Sequence, residues 1–88
     1  MTVHLTISGK VQGVFFRASA RDMALTLEIR GWVKITSEGN VEILASGNDI
    51  SIRQFIAWCR KGPANAMVAH VAITEVEEKE FENFSILR

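Results

Sequence analysis

Cysteine is nearly missing from this sequence: Cys59 is the only one. A single thiol forms no internal disulfide, so a disulfide-stapled scaffold is excluded. Proline occurs once, as Pro63, and no stretch reads as a linker, a repeat or a low-complexity segment. Neither sign of charge is in excess, since ten Lys and Arg balance ten Asp and Glu. Binding along a nucleic acid needs a surplus of clustered basic residues, so no nucleic-acid partner is expected, and any affinity for an anion has to be local. No apolar run approaches the ~20 residues that cross a bilayer, so no membrane partner is expected either. Met1–Leu5 lacks the basic segment and long apolar run of a signal peptide, and a cytoplasmic location is expected. No Cys, His, Asp or Glu spacing suggests a metal site, so neither metal nor cofactor is expected.

What is present is ordinary globular material. The chain has 88 residues, 48% of them apolar and 23% charged, enough for one modest core. A single domain over 1–88, monomeric, is expected. Val3, Leu5 and Ile7 alternate with polar neighbours, which predicts a half-buried strand. Phe16, Ala20, Met23, Ala24 and Leu27 then recur at helical spacing and predict a helix over 16–27. Ile29, Gly31, Val33 and Ile35 alternate again, Ser37–Asn40 reads as a turn, and Val41, Ile43 and Ala45 complete a hairpin. Asn48 or Asp49 caps a second helix with Ile52, Phe55, Ile56 and Cys59 on one face, ended by Gly62–Pro63. In the tail, Ala66 and Val68 lie on one phase and Val71 and Ile73 on the other, and a bulge near Ala69–His70 accounts for the slip. Glu75–Glu82 reads as a solvated acidic turn before a short strand at Phe84 and Ile86.

The order βαββαβ plus a short final strand predicts an α+β, ferredoxin-like sandwich: an antiparallel sheet with two helices on one face. In that topology the first and second strands run the same way with the third between them. Residues 9–17 and position 35 therefore meet at one end of the sheet, roughly 10 Å apart.

The segment joining the first strand to the first helix carries the chemistry. Glycines let a backbone curl its N–H groups inward, a helix start leaves such groups unpaired, and an arginine fork grips two phosphate oxygens. Spacing alone also fits a plain strand–helix connection with a surface arginine. The string Gly9-Lys10-Val11-Gln12-Gly13-Val14-Phe15-Phe16-Arg17 is more specific. It resembles the acylphosphatase signature Gly-x-Val-Gln-Gly-Val-x-Phe-Arg. Gly31-Trp32-Val33-Lys34, then Gly39-x-Val41-Glu42, Gly47, Gly62-Pro63 and Phe84-x-Ile86 fit the same family, so the resemblance spans nearly all of the chain.

The resemblance implies metal-free hydrolysis of a carboxyl–phosphate anhydride, with a small acyl phosphate or inorganic phosphate as ligand. It implies that the backbone of Gln12, Gly13, Val14, Phe15 and Phe16 cradles the phosphoryl group together with Arg17. It also implies an asparagine after Gly-Trp-Val-Lys to orient the attacking water. Here that position is Ile35, which neither donates nor accepts a hydrogen bond. Thr36 is expected to point to the other face of its strand, and Asn40 belongs to the turn. Slow or lost turnover is the expectation, and a phosphate-binding module without catalysis is the alternative, since similar domains occur inside larger carbamoyl-transferring proteins. A plain ferredoxin-like interaction domain would not need the loop string. Glu28 stands where the family has glycine, and a left-handed residue is expected there.

The remaining residues read as structure. His4 and His70 lie in strands without an evident partner pattern, Cys59 is core, and Trp32 and Trp58 pack or sit at a rim. Lys10 either adds positive potential near the loop or is a solvated surface lysine.

Overall fold

The structure is a computed structural model and describes residues 1–87. Its elements follow in the order β1 (Thr2–Lys10), α1 (Phe16–Thr26), β2 (Arg30–Ile35), β3 (Val41–Ser46), α2 (Asp49–Lys61), β4 (Met67–Val76) and β5 (Phe84–Ile86). The five strands form one sheet in the order β4-β1-β3-β2-β5. On one face Val3, Leu5, Ile7, Val33, Ile43 and Ala45 are wholly buried. Phe16, Ala20 and Ala24 of α1 and Ile52, Phe55 and Cys59 of α2 join them in a single core. The two helices touch each other, α1 lies against β2 and β5, and α2 lies against β4. No helix among the described residues is long and apolar enough to cross a membrane.

The alternation in each strand follows from this one-sided cover. The covered face takes every second residue and leaves His4, Thr6, Trp32 and Lys34 on the open face, partly exposed. His4 has a partner that the sequence did not disclose. Its Nε2 lies 2.6 Å from Glu42 Oε2, a diagonal pair across β1 and β3, and Lys34 Nζ is 3.5 Å from Glu42 Oε1. The His4 hydrogen bond, assisted by the Lys34 charge, holds the Glu42 carboxyl below its ordinary value. Trp32 belongs to the same face, with the Lys34 ammonium 5.4 Å from its ring centre. Trp58 packs on the core, 5.4 Å from the Phe16 ring.

Local signals hold in detail. Asn48 Oδ1 accepts from the Ser51 N–H at 2.8 Å, Asp49 sits in the first turn of α2, and Arg60 and Lys61 sit in the last. In β4 the register slips by one residue: Ser8 faces His70 and Gly9 faces Val68, so Ala69 is the extra residue of a bulge. That slip returns both Val68 and Val71 to the core side. Helix α1 ends one residue earlier than the periodicity suggests, with Leu27 as its cap.

The sheet departs from the all-antiparallel expectation at one edge. β1 pairs antiparallel with β3 and β4, and β2 with β3, but β5 pairs parallel with β2. The reason is the route of residues 77–83. The chain reverses after β4, so the strand that follows runs in the direction of β1 and β2. It reaches the β2 edge by crossing one end of the sheet, where each strand it passes holds it. Lys79 N–H donates to Thr2 Oγ1 of β1 at 3.1 Å, and Ser46 Oγ of β3 donates to the Lys79 carbonyl at 3.0 Å. Arg30 of β2 donates to the Phe81 carbonyl at 3.4 Å, and Gly31 N–H to the Asn83 carbonyl at 2.9 Å. The N-terminal ammonium binds Glu78 at 2.7 Å. The acidic turn is thus a strap across the sheet end, and Phe84 behind it is buried against Phe55, ring centres 6.0 Å apart.

Candidate active site

β1, β2 and β5 run in parallel, so their C-terminal ends lie together at the sheet end opposite the strap. There a cavity of about 520 Å3 opens, lined by Val11, Gln12, Gly13, Phe15, Phe16, Arg17 and Ala18 on one side and by Ile35 and Ile86 on the other. This volume lies in the range of small-molecule sites. The juxtaposition of loop and position 35 read from topology is therefore present, with β3 between the two strands.

The loop geometry is unusual at two positions. Gly13 has φ 68° and Phe15 φ 61°, both left-handed. At Gly13 a Cβ would meet nothing within 4 Å, so the conformation, not lack of space, favours glycine. Phe15 pays for the same conformation with strain, because a Cβ is disfavoured there. It also serves as the N-cap of α1, yet no side chain caps that helix and no acid stands in its first turn. Helix α2, with Asn48 and Asp49, shows how an ordinary start is satisfied in this same chain. In α1 the Ser19 N–H is taken by the Phe15 carbonyl at 3.0 Å. The amides before it, from Gln12 to Ala18, have no acceptor among the described residues. They carry the positive end of the helix dipole to the cavity.

Arg17 follows in the first turn of α1, exposed, and makes no ion pair among the described residues. Amides and a guanidinium without partners among the described residues, gathered beside one cavity, are donors of the kind that an oxyanion takes. The Gln12 carboxamide lies against Gly39 in the β2–β3 turn, where φ is 84° and a Cβ would collide with Gln12 Nε2. The Val14 side chain is buried in the core, and Val14 is not among the residues that line the cavity. Phe16 is buried in the core and also lines the cavity.

Ile35 is half-buried and lines the opposite wall. Its neighbours offer no polar substitute there. Thr36 Oγ1 accepts from the Asn40 N–H at 3.1 Å, and Thr36 N–H donates to the Asn40 carbonyl at 2.8 Å, so both residues close the turn. Neither lines the cavity, nor does Lys10. Cys59 is sealed in the core, where burial pushes its thiol up and away from reactivity. Among the described residues no three His, Cys, Asp or Glu side chains gather as metal donors would. Sequence reasoning missed Ile86 as a cavity residue. Its alternation with Phe84 marks a strand, but only the parallel pairing with β2 brings it beside the loop.

Comparison with known proteins agrees with this geometry. The acylphosphatase family model matches residues 3–86. An acylphosphatase of Syntrophus aciditrophicus is 43% identical over 86 residues, covering 97% of this chain and 90% of that protein. The solved acylphosphatase of Coxiella burnetii superposes with a TM-score of 0.95 at 42% identity, covering 98% of this chain and 90% of the other. Full-length HypF, solved in a phosphate- and nucleotide-bound form, contains a segment with a TM-score of 0.92 and 28% identity, which takes in 99% of this chain and 12% of HypF. With the signature loop, the two-layer fold and relatives matched over almost their whole length, this chain belongs to the acylphosphatase family, hydrolases of the carboxyl–phosphate anhydride.

Proposed function

We propose that residues 1–88 form a single, monomeric, cytoplasmic domain that hydrolyses an acyl phosphate slowly and without a metal. The backbone amides of Gln12–Phe16 and the Arg17 guanidinium hold the phosphoryl group. The observation that carries this reading is a loop whose amides, and an arginine, have no partners among the described residues and that lines one cavity.

Water attacks phosphorus, the bond from phosphorus to the acyl oxygen breaks, and the carboxylate departs without needing a proton. Charge grows on the equatorial phosphoryl oxygens along this path. Fixed amide dipoles and a cation already point where it grows, so positioning and electrostatics supply most of the stabilisation. What is missing is an orienting partner for the water. Ile35 occupies the place where the family resemblance implies an asparagine, and it offers no hydrogen bond. Poor placement of a reactant costs on the order of a hundredfold.

Hydrolysis of benzoyl phosphate, read with phosphate affinity on the same samples, tests the reading. The parent turns over slowly, Ile35→Asn raises turnover about a hundredfold, and Arg17→Ala shows neither turnover nor phosphate binding. Equal rates in the parent and Ile35→Asn would remove Ile35 as the limit. Phosphate binding that survives Arg17→Ala would remove the cradle. A second reading, a phosphate-binding module without turnover, is favoured by the similar segment inside HypF together with Ile35. It predicts intact phosphate affinity with no hydrolysis in the parent.

A further inference from the structure

We infer that the wall formed by Ile35 and Ile86, with the exposed ring of Phe15 contributed from the loop side, is an acyl-binding subsite that selects acyl phosphates with an apolar acyl group. The inference rests on the proposed phosphate cradle and says what occupies the rest of the cavity.

In an acyl phosphate the carbonyl carbon is one oxygen away from phosphorus. Once the phosphoryl group sits on the Gln12–Arg17 side, the acyl group has to leave that cradle into the remaining space. The cavity, at about 520 Å3, is much larger than a phosphate. Its far wall is Ile35 and Ile86, delivered by the parallel ends of β2 and β5. From the loop side Phe15 also lines it, 81% exposed and held in a left-handed conformation. An aromatic ring kept in water by a disfavoured backbone is unfavourable twice over, and apolar contact with a ligand would relieve the first cost.

The polar inventory points the same way. Among the described residues that line the cavity, Gln12 and Arg17 supply the only hydrogen-bonding side chains, and both belong to the loop. Gln12 is turned onto Gly39, and Arg17 is engaged by the phosphoryl group. A charged or hydroxylated acyl group gains no hydrogen bond from the Ile35 and Ile86 side chains, whereas an apolar one gains contact with them. At position 35 two properties are opposed. An isoleucine forgoes orientation of the water and adds apolar contact to the acyl group, so Ile35→Asn shifts rate and selectivity in opposite directions.

The test uses acyl phosphonates, whose carbon–phosphorus bond is not hydrolysed, so that affinity is read whether or not the protein turns over. Calorimetry compares benzoylphosphonate, acetylphosphonate and inorganic phosphate. Benzoylphosphonate binds at least about tenfold more tightly than acetylphosphonate, as expected when one or more methylene equivalents enter an apolar pocket. Ile86→Asn and Phe15→Asn each narrow that ratio. Asparagine is chosen at position 15 because it tolerates the left-handed region. The ratio within one variant cancels any loss common to both ligands, so a variant that is merely less stable does not mimic the effect. A ratio near one in a parent that binds phosphate overturns the subsite and leaves the cradle standing. A ratio that neither variant changes overturns the assignment to this wall. Absence of phosphate binding removes the cradle, and the subsite with it.

Discussion

Replacing Glu28 by glycine should stabilise this protein. Glu28 has φ 58°, in the left-handed region, just after α1. The Ile29 N–H reaches back to the Ala24 carbonyl at 2.8 Å and the Glu28 N–H to the Leu25 carbonyl at 3.2 Å. Those two bonds make a Schellman ending, with Glu28 at the position that glycine usually fills. Ile29 and Ala24, which the motif brings together, are both buried, so the ending is locked by packing and the strain is not released by moving. A residue with a Cβ pays about 1–2 kcal/mol there. Glycine recovers that and loses about 0.5–1 kcal/mol through its freer unfolded chain. The difference is a gain of about 0.5–1 kcal/mol, or about 2–8 °C in Tm for a domain of this size. The Glu28 side chain is exposed and makes no hydrogen bond or ion pair among the described residues, so little else is lost. Urea unfolding of the parent, Glu28→Gly and Glu28→Ala decides the matter. The alanine variant removes the same charge but keeps a Cβ, so its midpoint should not rise. An unchanged or lower midpoint for Glu28→Gly, or an equal rise in Glu28→Ala, would refute the reasoning.

Other expectations follow from particular contacts. Arg17→Lys keeps the charge but loses the two-pronged grip, and phosphate affinity should fall by roughly tenfold, the loss of about one charged hydrogen bond, by calorimetry. Glu42 has its carboxyl held below the ordinary 4.5 by His4 first and Lys34 next. Its contribution is present above that value and is lost as pH falls through the lower folded one. Denaturation midpoints should therefore drop less steeply in Glu42→Gln than in the parent below pH 4.5. Thr2→Val keeps the buried shape but leaves the Lys79 N–H without its acceptor, and should cost about 1 kcal/mol in urea unfolding, detaching the strap rather than the core.

Much of this molecule was legible residue by residue, because much of it is decided within a few residues. Asn48 caps α2 through its own side chain, the phase slip in β4 locates the bulge at Ala69, and the glycine that the family resemblance implies at position 28 foretells strain at Glu28. The loop string named a place for an anion, and strand direction placed Ile35 across from it. What the string alone did not contain depends on residues far apart in sequence meeting in space. The parallel edge formed by β5 and β2, and with it Ile86 in the cavity, requires the strap to cross the sheet end. The His4–Glu42 pair requires the register between β1 and β3, since the two residues are 38 apart. Local periodicity and backbone sterics thus determined the elements, their caps and the loop. Only the tertiary structure decided which strand closes the sheet, which face carries the hydrogen-bonded His4–Glu42 pair and which side chains complete the site, because those are set by the long-range pairing that buries the most apolar surface while satisfying the backbone at both ends of the sheet.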